Sequence, residues 1–410
     1  MKHISDSPMK PVSEALAYML KHAKGDLATE TINLMQAHNR ILAQAQIAQM
    51  DVPPADNSAM DGYALNFHDL QQQPLEVSQR IAAGQVSVPL QSGTAARVFT
   101  GAEIPAGANL VIAQEDCEIQ GMAIKINGQH QLRQFIRRCG QDITRGTLAC
   151  HRGTRLKARH MGVLASIGLA KIVVYRPLRV GIICTGSELI EPGQSLYPGQ
   201  IYNSNRYLIT GLCAGLGFNP IDLGIVTDHF DTTLKALKQA AAQVDVIITS
   251  GGISVGEEDH VKAAAQQLGQ LEWWKLASKP GKPMAFGHIQ NTPFLGLPGN
   301  PASVLVTFTI LAKPFLLALQ GQCTDPDGPV VLTGQLLNPP KQTSERQQYL
   351  RARVVSSTAA QGLQLEILAD QSSAVLTTAI KGHGLVVIPP AQAGAEIKQV
   401  VFLPYSQLEY

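Results

Sequence analysis

The residues best suited to chemistry sit in a few glycine- and proline-rich loops in the second half of the chain. Val244 to His260 reads VDVIITSGGISVGEEDH. Its β-branched start predicts a buried strand, Gly251-Gly252 a break, and Ser254 and Gly256 a turn into a helix that opens with Glu257, Glu258 and Asp259. Strand, glycine-rich turn and helix N-terminus together suit an anion. Glycine lets the backbone come close, and unpaired N–H groups of the first helical turn point outward. Three carboxylates beside a phosphate would repel it unless a divalent cation lies between them. Two readings stay open: an anion held with a hard metal, or acids that only complement the helix dipole.

The neighbouring loops extend the same chemistry. Lys275, Lys279 and Lys282 lie in KLASKPGKP, where Pro280-Gly281 and Pro283 stiffen the chain. Held cations suit a phosphate or other oxyanion; a solvated lysine surface is the alternative. In LPGNPAS at 297–303, Asn300 reads as a helix cap and Pro301 as the first helical residue, leaving another exposed helix N-terminus or simply a well-made helix start.

A scaffold must hold these loops. Residues 177–325 alternate strand and helix in the βαβ pattern of a doubly wound, mostly parallel sheet, with a helix expected over Pro301 to Leu319. TGSE at 185–188, TDH at 227–229, SGGISVG at 250–256 and LPGNPAS all fall where strands end, and ligands of such sheets bind beyond the carboxyl ends.

The flanks read differently. Residues 1–50 and 144–176 carry helical spacing, including Ala37 to Gln46 and Arg159 to Gly168, and are paired here as one discontinuous helical unit. Residues 51–143 alternate short β-type runs with Gly and Pro, an inserted β-rich domain. Its polar clusters at 56–61, 100–101 and 137–142 suggest a shared face, although Asp and Asn also favour plain turns. Residues 326–410 predict a small β-barrel or sandwich, in which Arg351, Arg353 and Ser372-Ser373 read as surface residues able to meet an anion.

The chain has 410 residues, enough for about two to four domains. A net charge of +2 gives no reason to expect nucleic acid or an anionic membrane. Six scattered cysteines without a CxxC pair argue for reduced thiols rather than disulfides or zinc. With no apolar signal core and no apolar run expected to span a membrane, the chain reads as a soluble cytoplasmic protein. P-loop and GxGxxG motifs are missing, which removes common NTPase and dinucleotide-binding readings.

DNSAMDGYA at 56–64, FTGAEIP at 99–105, RRCGQDI at 137–143, CTGSEL at 184–189, SGGISVGEEDHVK at 250–262, WKLASKPGKP at 274–283 and GLPGNPAS at 296–303 occur in this order. Together they resemble the molybdopterin molybdenumtransferases, a family that includes bacterial molybdenum cofactor proteins and the C-terminal domain of gephyrin. The resemblance implies a helical linker domain, an inserted β-domain, an α/β domain and a C-terminal barrel in an elongated homodimer. It implies a reaction in which adenylyl-molybdopterin and molybdate react, AMP leaves and molybdenum stays on the dithiolene, with a divalent metal, usually Mg2+. It further implies transient contact with the molybdopterin adenylyltransferase.

Carried over by residue, the resemblance makes Glu188, Asp61, Asp142, Asp228 and Asp259 the catalytic acids, with Glu188 and Asp259 holding the metal. Ser250, Gly251, Gly252, Ser254 and Gly256 form the nucleotide cradle. Lys275 and Lys279 lie near the pterin phosphate and molybdate, framed by Pro298, Gly299, Asn300 and Pro301. Asp61, Thr100 and Asp142 face the α/β domain of the other subunit, and Arg351 and Ser373 meet molybdate. Two departures stand out: His260 replaces the usual Tyr, and QSSAVL at 371–376 replaces a QGSHML-like stretch. The competing expectations are a molybdopterin adenylyltransferase, which would form the adenylate from ATP, and a gephyrin-like scaffold that binds partner peptides.

Overall fold

The computed structural model describes residues 8–23, 27–227, 229–253, 260–323, 331–340, 344–358, 362–390 and 398–408. The chain divides into two compact units, Met1–Glu30 with Asn39–Ile41 and Tyr175–Tyr410, and Thr31–His38 with Leu42–Val174.

The first unit is built on a six-stranded sheet in the order Asn219–Val226, Arg179–Thr185, Val246–Ser250, Thr292–Leu297, Pro283–Ile289, Gly269–Lys275. The first four strands run parallel, and Pro283–Ile289 is antiparallel to both of its neighbours. The hydrophobic run at 246–248 follows from burial on both faces. Val246 and Ile248 enter one core with helices Ser204–Gly215 and Pro301–Thr307, while Ile247 enters another with Phe230–Gln243 and His260–Leu268. The expected doubly wound layer is therefore present.

Pro301 to Leu319 is not one regular helix. A π-helical turn, Phe308–Ala312, separates Pro301–Thr307 from Lys313–Leu319. Pro314 lacks the N–H that would bond to the Ile310 carbonyl, and a wider turn absorbs that loss. This 19-residue stretch has a mean hydropathy of 2.0, so by length and composition it overturns the expectation that no apolar run could span a membrane. It is 72% buried within the protein, as a core helix is.

Five strands beyond it close a barrel. Gln347–Thr358 pairs with Gly362–Ile367 and Gly384–Ile388; Leu332–Leu336 joins Gly362–Ile367 to Gln399–Pro404, which returns to Gly384–Ile388. Leu336, Leu350, Ala352, Leu365, Val386 and Phe402 fill the interior. A short strand from the α/β layer, Ser278–Lys279, adds to the outside of the ring in parallel with Gln347 and Gln348.

Two helical expectations for the flanks fail. Residues 37–46 form no helix: Asn39 has φ 62°, Leu42 bridges Val174, and the Leu42 and Ala43 N–H groups donate to Thr154 and Val173. Tertiary pairing has overridden local spacing. Nor does the N-terminal helix, Val12–Lys21, fall in the same compact unit as residues 144–174. Val12, Ala15 and Met19 form one apolar stripe that joins the core of the central sheet. The helix Ala158–Ser166 does form, in the second unit.

The second unit holds a six-stranded sheet in the order Leu110–Ala113, Gly62–Leu65, Thr94–Val98, Leu75–Ile81, Ala123–Ile126, Cys117–Gln120. It is buried on both faces: Tyr63 and Leu65 lie in one cluster, Ala64 in the other.

Candidate functional site

A cleft of about 980 Å³ opens at the carboxyl ends of the parallel strands. One wall comes from the α/β layer and includes Thr185, Glu188, Ser250, Gly251, Gly252 and Pro298 to Pro301. The other wall comes from Lys279 to Pro283, Arg346 and residues 371–374 of the barrel domain.

The glycine turn is demanded by sterics. Gly251 has φ 87° and Gly252 φ 64°. A Cβ on Gly251 would lie 2.5 Å from the Thr185 carbonyl oxygen, and one on Gly252 would lie 2.4 Å from Val261 Cγ2. Only glycine permits these conformations at this closeness. The Glu188 carboxylate folds back over Gly186, where a Cβ would lie 2.4 Å from Oε2. Thr185 Oγ1, buried beneath the turn, has no hydrogen-bond partner among the described residues. The adjacent Cys184 thiol is pushed up to about 11 by burial and stays protonated.

Asn205 ties this wall together, a role its position beside a helix cap did not reveal. Its Nδ2 donates to Ser250 Oγ at 2.8 Å and to the Gly299 carbonyl at 2.6 Å, while Ser250 Oγ donates to the Pro298 carbonyl. Asn203, two residues earlier, is the actual cap, accepting from the Arg206 N–H. Asn300 does not supply the expected side-chain cap. Its Nδ2 donates instead to Ser373 Oγ at 3.1 Å, and the Ser373 carbonyl accepts from the Ala302 N–H at 3.0 Å. The barrel domain thus caps a helix of the α/β layer, and Ser373 lines the cleft.

Arg351 is placed otherwise than expected. It is fully buried and does not line the cleft. Its Nε donates to Thr378 Oγ1, and its Nη2 donates to the carbonyls of Asp370 and Ser372. Gln371 answers by accepting from the Arg351 N–H and donating to its carbonyl. Arg351 therefore pins the loop that presents Ser372 and Ser373. Of the lysines, Lys279 and Lys282 line the cleft and Lys275 does not; Lys275 ends the strand Gly269–Lys275, its carbonyl accepting from the Lys10 N–H. Arg346, which no motif marked, lines the cleft and donates to the Ser278 carbonyl.

Asp228, Ser254, Gly256 and Asp259 lie outside the described residues. His260, at the start of its helix, stacks on His229 with ring centroids 6.4 Å apart and 7° between planes.

The polar clusters of the second unit do gather. Both the N–H and the Oγ1 of Thr100 donate to Asp61 Oδ1 at 2.8 Å, and these bonds hold the Asp61 carboxyl below its ordinary range. Asn57–Ser58 pairs with Ile136–Arg137, Asp56 accepts from the Cys139 N–H, and the Asp142 N–H donates to the Val52 carbonyl. Asp142 itself is exposed.

A doubly wound sheet with a glycine turn, a carboxylate and two lysines at one strand-end cleft defines an α/β enzyme that handles an anionic substrate. The chain matches the MoeA N-terminal region (domain I and II) over residues 10–168 and a probable molybdopterin binding domain over residues 181–318. It is 43% identical over 320 residues to a molybdopterin molybdenumtransferase of Haemophilus influenzae, covering 77% of this chain and 78% of that protein. A relative of the same name from Nostoc sp. is 38% identical over 304 residues, 72% of this chain and 70% of the relative. The crystal structure of a molybdopterin biosynthesis MoeA protein from Pyrococcus horikoshii, 30% identical, superposes with a TM-score of 0.76 over 96% of this chain and 99% of that one. The chain belongs to the molybdopterin molybdenumtransferase family.

Proposed function

We propose that this chain is a cytoplasmic transferase of molybdenum cofactor biosynthesis. It takes adenylyl-molybdopterin and molybdate, releases AMP and leaves molybdenum on the dithiolene. The observation that carries the reading is the meeting of Gly251-Gly252, Glu188, Lys279 and Lys282 on one cleft. A nucleotide ester suits the glycine turn, where backbone can approach phosphate closely. The oxyanion suits the lysines opposite. Lys279 and Lys282 hold molybdate against the phosphoanhydride; a water attacks the adenylyl phosphorus, the anhydride P–O bond to the pterin phosphate breaks, and AMP departs.

The donors on the α/β wall are hard oxygens, the Glu188 carboxylate and the orphaned Thr185 Oγ1, which fit Mg2+. Glu188 would hold the ion together with Asp259. Bound there, Mg2+ would neutralise charge on the phosphates. Glu188→Ala should abolish molybdate-dependent AMP release while leaving the thermal unfolding curve unchanged; wild-type turnover in that variant overturns the reading.

In the same proposal the working form is a homodimer, with Asp61, Thr100 and Asp142 completing the cleft of the second copy. Mixing the inactive variants Asp61→Ala and Glu188→Ala should then restore part of the activity, since one cleft of each mixed dimer is intact. No recovery on mixing would exclude sharing between copies.

A further inference from the structure

The barrel contains a second cavity, of about 330 Å³, that shares Lys279, Pro280 and Gln371 with the main cleft. Its remaining lining is Asn338, Pro340, Gln348, Leu350 and residues 367–369. Leu350 belongs to the barrel interior, and Gln348, two residues earlier on the same strand, faces the same side. The cavity is therefore a mouth of the barrel, a recurrent position for small-molecule sites.

Two features distinguish it from a packing defect. Gln348 is only 5% exposed, yet its Nε2 has no hydrogen-bond partner among the described residues. A buried amide donor left unpaired is costly, and a ligand acceptor removes that cost. The other two amides are already committed. Asn338 donates to and accepts from the Ile367 backbone, and Gln371 is held by Arg351 and Leu368. The mouth thus offers one unspent amide donor between apolar walls, with the exposed Lys279 ammonium only at its rim. A small tetrahedral oxyanion would want several donors and little apolar surface. A flat heterocycle with a ring carbonyl wants what is present: one donor in plane, and Pro280, Pro340, Leu350 and Ile367 against its faces.

We infer that the barrel mouth is the subsite for the pterin ring of the substrate, with Gln348 Nε2 donating to the ring carbonyl. The inference rests on the proposed function and gives each half of the substrate its own compartment. The nucleotide lies at the strand ends and the heterocycle in the barrel, with Lys279 between them, next to the phosphate that links the halves.

The test is a titration of the full-length enzyme with 6-hydroxymethylpterin, followed by pterin fluorescence, beside a titration with AMP and magnesium. Gln348→Leu keeps the volume and removes the donor; Gln348→Glu keeps the shape and leaves only acceptors. Both should weaken the pterin by about tenfold or more and leave AMP affinity unchanged. A crystal soaked with the same pterin should show it beside Gln348. Equal pterin affinity in wild type and both variants, no pterin binding by the wild type, or a pterin bound elsewhere in the soaked crystal would each overturn the inference. So would a Gln348 effect seen with molybdate alone, which would make the mouth an oxyanion site. Molybdate-dependent AMP release is measured separately. If it is intact in the wild type while the Gln348 variants keep their pterin affinity, this inference falls and the proposed function stands.

Discussion

The two walls of the cleft are made by different means. The α/β wall is largely backbone: a glycine turn over Thr185, the Pro298 to Pro301 loop, and Asn205 stitching Ser250 to Gly299. The two loops each follow a strand directly, so their positions are fixed by the sheet beneath them, and Asn205 reaches them from the first turn of the helix Ser204–Gly215. The barrel wall is presented by side chains held from behind. Arg351, wholly buried, fixes residues 370–372, and Ser373 reaches across to Asn300 and Ala302. At Gly251 and Gly252 the backbone wall leaves no room for an added atom, whereas a wall made of side chains can yield locally.

Substitutions that separate the walls should rank accordingly. Gly251→Ala should have the largest effect. Its Cβ would meet a main-chain oxygen at 2.5 Å in a left-handed conformation, for a loss of about 3 kcal/mol and of AMP release. Calorimetry with a turnover assay checks both, and near-normal stability would mean the turn is softer than drawn. Arg351→Met comes next. It removes three hydrogen bonds, to Thr378 Oγ1 and the carbonyls of Asp370 and Ser372, for about 2 kcal/mol, read by denaturant unfolding, and should raise hydrogen exchange at 370–374 while leaving 250–253 protected. Equal loosening of both segments would deny that the walls are independent.

Asp245 gives a control far from the cleft, at the amino ends of the strands. Burial alone would raise its carboxyl. Hydrogen bonds from Arg176 and Arg179 reverse that and hold it well below the usual carboxylate range. Because the folded-state value is depressed, the stabilisation is complete above about pH 4 and is lost as pH falls below it. Asp245→Asn should cost about 1–2 kcal/mol at pH 7 and flatten the acid side of the stability profile, with pterin and AMP affinities unchanged. Ser373→Ala should be mildest, under about 0.5 kcal/mol in stability, since its carbonyl keeps the Ala302 bond; a severalfold rise in the KM for molybdate would be its main trace.

The same contrast explains what could be read in advance. TGSE, SGGI and LPGNP were legible because their chemistry is local: a strand ends, a glycine turns, a helix begins. Arg351 was misread as a surface residue because nothing within a few positions of it reveals Asp370, Ser372 and Thr378, which only barrel closure brings close. Asn205 and Arg346 were missed for that reason, their partners lying tens of residues away. Ala37 to Gln46 failed in the opposite way. Its apolar spacing suited a helix, but Leu42 and Ala43 are claimed by backbone near Thr154 and Val173. The Asp61–Thr100 pairing was foreshadowed by clustered polar loops, though no spacing could say which side chains meet.

The strand Ser278–Lys279 belongs by sequence to the α/β layer but is laddered onto the barrel through Gln347 and Gln348. Its lysine is consequently tied from both sides, to the barrel by that ladder and to the layer it came from by the hydrogen bond from the Leu276 N–H to the Lys282 carbonyl, so one cation registers the spacing of both walls.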